Sequence, residues 1–509
     1  MKFNKYIAIT LAAATFASCA NFEEINTNPD ATTKTTSSLL ATGAIMGIMK
    51  PSNGKPFLSN QMLTKHIGWG GEGKEGSQYN SFGSESFDGY TQLKDYQLMV
   101  ELAAPEYKSA YEALALFLKA YKLYNYTINV GDIPYEGILQ GNEGNLTPTY
   151  NTQKEVLLFL LADLDRAHEL FQTAKNFNGD PIFKGNVKKW AKINAALQLR
   201  ILINLSKKES DPDLAIKKKF AEIVARTNVL MESNEDNLQL VFSEKAGQIY
   251  PLNLTNNVHS TYPVMTTTLM DILQTNKDYR IFYYADPSAA KLKEGLEPSD
   301  WEAYYGIDPS LPIEAFNAHY NVGDFCALNR RYIIYSPGEP YIRFGYAEQN
   351  FILAEAALRG WITGNASTYY QAAIKASMEF VKSNTPNDAT YHHGRLITNE
   401  IIDQTLTNPT IQLTGNFEDD LKKIIEQKYV AGFLQLPYQS YYDYRRTGYP
   451  VFPINPETNN NNNAPDKMPV RWTYPGGEFS YNKANVETAL QNQFDTTADD
   501  INAVMWILK

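Results

Sequence analysis

Cysteine is almost missing from this chain, with 2 in 509 residues. If Cys19 is taken up elsewhere, as argued below, Cys326 has no partner for an internal disulfide. Stability must then come from a buried core, and the chain is long enough to form a large one. Cys326 itself reads as a small buried apolar residue. Long apolar runs are also lacking. After residue 18 none reaches the roughly 20 residues that a membrane-spanning helix needs. Positive charge is in deficit: the formal charge is -10, and it becomes -12 without residues 1–18, which carry Lys2 and Lys5 and no acid. Binding to phosphate backbones needs clustered Lys and Arg, so nucleic acid is a poor fit as a partner.

Signatures of catalysis and of metal binding are absent too. There is no HExxH, no G-x-S-x-G elbow and no Cys/His cluster with zinc spacing. His168-Glu169 lacks a second histidine. The adjacent His392-His393 would point to opposite sides of most backbones and reads as a surface loop. Asp211-Pro212-Asp213 lacks the glycine and distal glutamate of a calcium loop and reads as a helix start. Gly71-x-Gly73-x-x-Gly76, with Asp95 beyond it, spells a dinucleotide fingerprint, but neither HIGW before it nor SQYNSFGS after it supplies the required strand and helix. It reads as a flexible loop. No cofactor, metal or catalytic residue is assigned. Paired carboxylates meet only in a fold, so an enzyme such as a glycoside hydrolase stands as the third-ranked alternative.

What is present begins at the N-terminus. Lys2 and Lys5 precede an apolar run from Tyr6 to Ala17, the pattern of a secretory signal peptide over residues 1–18. Phe16-Ala17-Ser18-Cys19 then reads as a lipobox. Cleavage would leave Cys19 as the first mature residue, carrying several acyl chains, enough for stable membrane anchoring. Residues 19–30 would be a lipidated tether, and 31–509 one domain with long loop insertions.

The body of the chain reads as mainly α. Thr152 and Glu155 form a capping box ahead of Val156, Leu160, Leu161, Leu164, Ala167 and Leu170. Tyr111, Leu114, Leu118 and Tyr121 share one helical face, as do Trp190, Ile193, Leu197, Ile201 and Leu205. FGYAEQNFILAEAALRGW, ended by Gly360, and STYYQAAIKASMEFVKS should form a helical hairpin. FEDDLKKIIEQKYVAGFL reads as the last strong helix. Such amphipathic pairs suggest a TPR-like helical-repeat scaffold of about four pairs, packed against a loop-rich half with few short strands. Long irregular segments cover roughly 68–89, 242–263, 286–338 and 445–477. Aromatics are abundant, with 34 Tyr, 24 Phe and 6 Trp. Trp190 and Trp361 sit in apolar stripes and read as core, while Trp472 and Trp506 lie in mixed context. Trp69 and Trp301 lie in polar loops beside Gly70, Gly71, Tyr304 and Tyr305. Such an indole either stacks on a sugar ring or anchors its own loop.

The lipobox followed by FEEINTNPDA resembles the mature N-terminus of SusD/RagB-family outer-membrane lipoproteins. The likeness continues in order through GDIPYEGIL, PTYNTQKEVLLFLLADLDRA, GNVKKWAKINAALQLRILI, YAEQNFILAEAALRGW, IIEQKYVAGFLQ, YYDYRRTGYPVFP and VRWTYPGGEFSYN, nearly the whole chain. The acidic pair Glu23-Glu24 resembles the surface-export signal of Bacteroidetes lipoproteins. The resemblance implies a non-enzymatic, surface-exposed protein of the outer membrane that hands glycans to a SusC-type TonB-dependent transporter. In the RagB branch the cargo is peptide, which is the second-ranked reading. It implies a ligand surface of loop aromatics that varies between members. Loop position and chemistry then select Trp69, Tyr79, Phe82, Tyr262, Trp301 and Tyr305 as ligand-binding candidates. The signature residues Asn26, Asn28, Pro29, Arg445, Arg446 and Pro450 read as structural, the arginines hydrogen-bonding loop carbonyls or carboxylates. Replacing Cys19 tests the anchor: Cys19→Ala should abolish incorporation of labelled fatty acid and leave the chain out of the membrane fraction.

Overall fold

A computed structural model describes residues 35–255 and 259–509, so Cys19, Asn26, Asn28 and Pro29 lie outside the described residues. The described residues form 19 α-helices and four short strands. The N-terminal helices are α1 Ser37–Met49, α2 Lys55–Leu63, α3 Leu93–Glu101, α4 Lys108–Val130, α5 Gln153–Thr173, α6 Val187–Asn204 and α7 Ile216–Ala225. The middle holds α8 Thr267–Thr275, α9 Ile281–Tyr284, α10 Ala289–Lys293 and α11 Ile313–Val322. Next come α12 Tyr346–Leu358, α13 Ala366–Ser383, α14 Ala389–His392, α15 Asn399–Thr407 and α16 Phe417–Ala431. The last are α17 Pro437–Thr447, α18 Gly476–Tyr481 and α19 Lys483–Phe494. The strands are β1 Ile67–Trp69, β2 Leu238–Leu240, β3 Pro263–Met265 and β4 Tyr341–Phe344. They make two antiparallel pairs, β1 with β3 and β2 with β4.

Helices stack pairwise in the TPR-like manner. α4 packs on α5, α5 on α6, and α12 on α13, while α12 also meets α6 and α16 and so joins the two helical groups. Thr152 and Glu155 close the expected capping box at the start of α5. Asn186 caps α6 by accepting from Lys188 N and Lys189 N. α6 is buried on nearly every side, which marks it as the central helix of the scaffold. Each of its buried Leu and Ile side chains contributes about 1.5–3 kcal/mol by leaving water. Gly360 takes the left-handed conformation after α12 (φ +70°), and Trp361 N reaches Ala356 O at 2.8 Å, so the hairpin to α13 forms as expected. Trp190 and Trp361 are buried, and one contiguous core runs from Ala41 to Ile507.

Three expectations need correction. The helix at 417–431 is followed by α17, α18 and α19; α17 is so rich in Tyr and Arg that its apolar stripe is weak in the sequence. The segment 286–338 holds α10 and α11. His392 and His393 are buried rather than on a surface loop. His393 adopts φ +52° at the end of α14, and this turn lets both rings bury. Burial pushes the His393 imidazole down to about 4. Asp211 and Asp213 precede α7 by a turn and grip Lys154 at 2.9 and 2.6 Å.

A buried ionic network ties the scaffold to the C-terminal segment. Glu355 of α12 accepts from Arg359 Nε and from Arg446 Nη2 of α17, each at 2.8 Å. Asp443 bridges Arg446 and Lys428 of α16, again at 2.8 Å to each. Neighbouring Arg445 donates to Val470 O and Ile128 O, both at 2.8 Å. Both arginines thus satisfy carbonyls and carboxylates of the chain itself. Burial alone would raise the Glu355 pKa, but Arg446 and Arg359 override it and hold the group at about 2. Removing one member of such a network strands buried charge. Glu355→Gln should therefore cost about 3 kcal/mol at pH 7 in a urea or thermal melt. The carboxylate contribution is full above its ordinary value of 4.5 and is lost as pH falls through about 2. The gap between variant and parent should accordingly narrow at pH 3; a gap that stays constant with pH would contradict the assignment.

Candidate functional site

Strand pairing brings two distant loops together. Ile67 faces Met265, Gly68 faces Val264 and Trp69 faces Pro263. Helix α11 then clamps the loop after β1. Asn317 accepts from Gly71 N and donates to Glu72 O, both at 2.9 Å. The Tyr320 ring lies directly on the Gly70-Gly71 backbone, where an added Cβ would stand 2.4 or 2.5 Å from ring atoms. Gly71 also has φ +80°, which favours glycine on conformational grounds.

The product is a near-parallel row of four rings. Trp69 and Tyr262 lie 5.4 Å apart at 26°, Tyr262 and Tyr320 6.4 Å apart at 16°, and Tyr320 and Phe325 4.9 Å apart at 20°. Trp69 is the buried end: Lys55 Nζ lies 4.7 Å from its ring centre and its Nε1 donates to Glu72 Oε2 at 3.0 Å. Tyr262, Tyr320 and Phe325 are half-buried and keep part of their surface in solvent. Solvent-accessible polar groups flank the row: the carboxylate of Glu72 and the imidazoles of His259 and His319. Asp324 accepts from Tyr305 Oη at 2.5 Å and pairs with His319 Nδ1 at 2.7 Å. Apolar ring surface bordered by hydrogen-bonding groups suits a ligand whose faces are half apolar and half hydroxylated.

The six sequence candidates divide. Trp69, Tyr262 and Tyr305 come together at the row, with Trp69 as its floor rather than an open face. Tyr79 is buried beneath the same loop and donates to Leu311 O at 2.8 Å. Phe82 packs elsewhere, against Trp472 at 4.6 Å and Tyr441 at 5.3 Å. Trp301 is half-buried against Phe282 at 4.7 Å and Tyr279 at 5.7 Å, away from the row. Sequence reasoning missed Tyr320, Phe325, His259 and Glu72. The available signal was Phe316 and Tyr320 four residues apart ahead of Gly323, a short helix inside a segment read as irregular. Among the described residues no group of three or more His, Cys, Asp or Glu is placed to hold a metal. Cys326 is fully buried, and burial pushes its thiol up to about 12.

A TPR-like helical scaffold carrying an aromatic-lined loop face defines a class of binding protein. A family model for SusD-like proteins, described as starch-binding and associating with the outer membrane, matches residues 29–475, and the chain belongs to this family. Solved structures agree. A SusD homologue from Bacteroides fragilis is 51% identical, with a TM-score of 0.91 over 93% of this chain and 100% of that one. A second from the same species is 32% identical, with a TM-score of 0.82 over 94% and 100%. A chitin-binding SusD homologue from Flavobacterium johnsoniae shares the fold at 21% identity, with a TM-score of 0.70 over 92% and 98%. No curated protein sequence is detectably similar.

The glycine pair offers a direct test of how the row is held. Gly71→Ala forces a side chain into the Tyr320 ring at a left-handed position, at a cost of about 1–3 kcal/mol. The variant should keep its far-ultraviolet circular dichroism, melt earlier and lose near-ultraviolet aromatic signal; an unchanged near-ultraviolet spectrum would mean that Tyr320 does not rest on this loop.

Proposed function

We propose that this protein captures glycans at the cell surface through the row Tyr262–Tyr320–Phe325 and delivers them to a SusC-type TonB-dependent transporter. The observation that carries the reading is the row itself: solvent-reaching aromatic surface between His259, Glu72 and His319, with Tyr262 directly before β3, Tyr320 on α11 and Phe325 just after that helix. The family description, starch-binding, supports saccharide cargo ahead of peptide. Binding, without turnover, is the whole activity. Residues 1–18 act as signal peptide and 19–30 as tether, with Cys19 lipidated at the outer face of the outer membrane. Residues 31–509 form one unit.

In this mechanism the sugar's C–H faces lie on the tyrosine rings, and its hydroxyls exchange hydrogen bonds with the neighbouring imidazoles and carboxylate. Trp69 does not touch ligand; it supports Tyr262 from below. Calorimetry of the soluble chain from Ala20 against neutral oligosaccharides and peptides tests this directly. Tyr262→Ala and Tyr320→Ala should each weaken glycan binding at least about tenfold, equal to about 1.4 kcal/mol, with the far-ultraviolet circular dichroism of the parent retained. Binding of peptides alone, or glycan binding indifferent to both variants, would overturn the reading.

A further inference from the structure

One open cleft of the described structure stands apart from the aromatic row. It lies on the seam between the helical scaffold and the loop half, with a volume of about 520 Å³. Its walls come from α4 (Tyr121, Asn125, Asn129), from β4 (Tyr341, Arg343), from the loop holding Glu85, and from Tyr438 and Trp472. That size suits a small ligand or one or two sugar residues. The lining mixes amides, phenols and an indole, the same blend of flat apolar faces and hydrogen-bonding groups that suits saccharides.

One feature of the lining is specific. Three cations border the cleft: Lys50, Arg200 and Arg343. Arg200 is already neutralised by Glu348, with Nε at 2.8 Å and Nη2 at 2.5 Å. Arg343 is not. Its neighbours are the phenol of Tyr121, which is hydrogen-bonded to it, and the Tyr341 ring, 4.8 Å from the guanidinium carbon; no carboxylate among the described residues forms an ion pair with it. Its Nε is buried without a hydrogen-bond partner. Its backbone is fixed in β4, where Arg343 O accepts from Arg200 Nη2 at 2.8 Å. A half-buried guanidinium without a counter-ion is costly, whereas its planar fork matches a carboxylate or sulfate. Lys50, exposed at the rim, adds a second unpaired cation. The single acid of the lining, Glu85, is occupied by Asn129 Nδ2 at 2.6 Å and Ser86 N at 2.9 Å. The cleft is thus locally cationic on a chain of net charge -10, so general attraction cannot explain anion binding there.

We infer that this seam cleft is a second ligand site, one that takes an acidic saccharide by pairing its anionic group with Arg343. A carboxylate of a uronic acid and a sulfate ester present the same chemistry to the fork. The sugar ring would lie against Trp472 and Tyr438, whose rings pack edge to face, 5.8 Å apart at 77°, and together form one wall of the cleft. The inference rests on the glycan reading above but uses different residues.

The test is calorimetry of the soluble chain from Ala20 with three probes of equal length: tetragalacturonate, a κ-carrageenan tetrasaccharide, which carries sulfate and no carboxylate, and neutral maltotetraose. At least one acidic probe should bind at least tenfold more tightly than the neutral one, and the tighter of the two identifies the anion. Arg343→Gln should remove that advantage, Arg343→Lys should restore part of it, and neutral binding at the aromatic row should not change. Asn125→Trp fills the cleft from α4 while leaving Arg343 in the chain and should give the same loss, which covers the case in which Arg343→Gln fails to fold. Acidic probes that bind no better than the neutral one, or an advantage that survives Arg343→Gln and Asn125→Trp in folded protein, would overturn the inference. If neutral binding persists and still responds to Tyr262→Ala, the aromatic-row reading stands while this one falls.

Discussion

Glu355 is the constraint on which the architecture turns. Its carboxylate sits in the core of the second helical group and holds two guanidiniums, one from the end of its own helix and one from α17. Without a counter-charge neither Arg446 nor Asp443 could remain buried. Because they do, α17 is locked against α12 and α16. Arg445 then reaches back to Ile128 at the end of α4. Tyr442 likewise donates to Asn129 at 2.8 Å. The C-terminal third is thereby fastened to both helical groups, and the walls of the seam cleft follow from that fastening.

The loop face is organised by a different rule. Regular structure there is sparse, so backbone groups are satisfied mainly by side chains and turns. Asn317 holds Gly71 and Glu72, and Gln78 accepts from Trp69 N at 2.8 Å while donating to Pro309 O at 3.0 Å. Asparagine and glutamine suit this work because each side chain donates and accepts. The abundance of Tyr has a similar origin. Tyr79, Tyr304 and Tyr441 bury their rings and each spends its hydroxyl on a main-chain carbonyl. Many aromatics in these loops are therefore cement, and only those that keep an open side can meet ligand.

This explains what could be read from the sequence and what could not. α4, α5, α6, α12 and α13 were legible because each carries its own periodic stripe, and caps such as Thr152 and Gly360 are local signals. The lipobox and the ordered series of motifs identified the family without any three-dimensional information. The aromatic row was only partly legible. Tyr262 was visible as a loop aromatic, but its value comes from Tyr320, which arrives from α11 and is admitted by Gly70 and Gly71. Trp69 looked like an exposed platform because it sits in a Gly-rich polar loop, yet β3 and Lys55 cover it. His392 and His393 failed for a related reason: alternation of neighbouring side chains assumes ordinary backbone, and His393 is left-handed.

The β1–β3 pairing also has a consequence in time. Residues 67–69 meet residues 263–265 across most of the first half of the chain. Contacts so far apart in sequence close late, after the intervening helices have condensed. The aromatic row is thus assembled late, onto helices that have already condensed. A chain cut between α7 and β3 could not build the row by itself, because Trp69 would then lie on one piece and Tyr320 and Phe325 on the other.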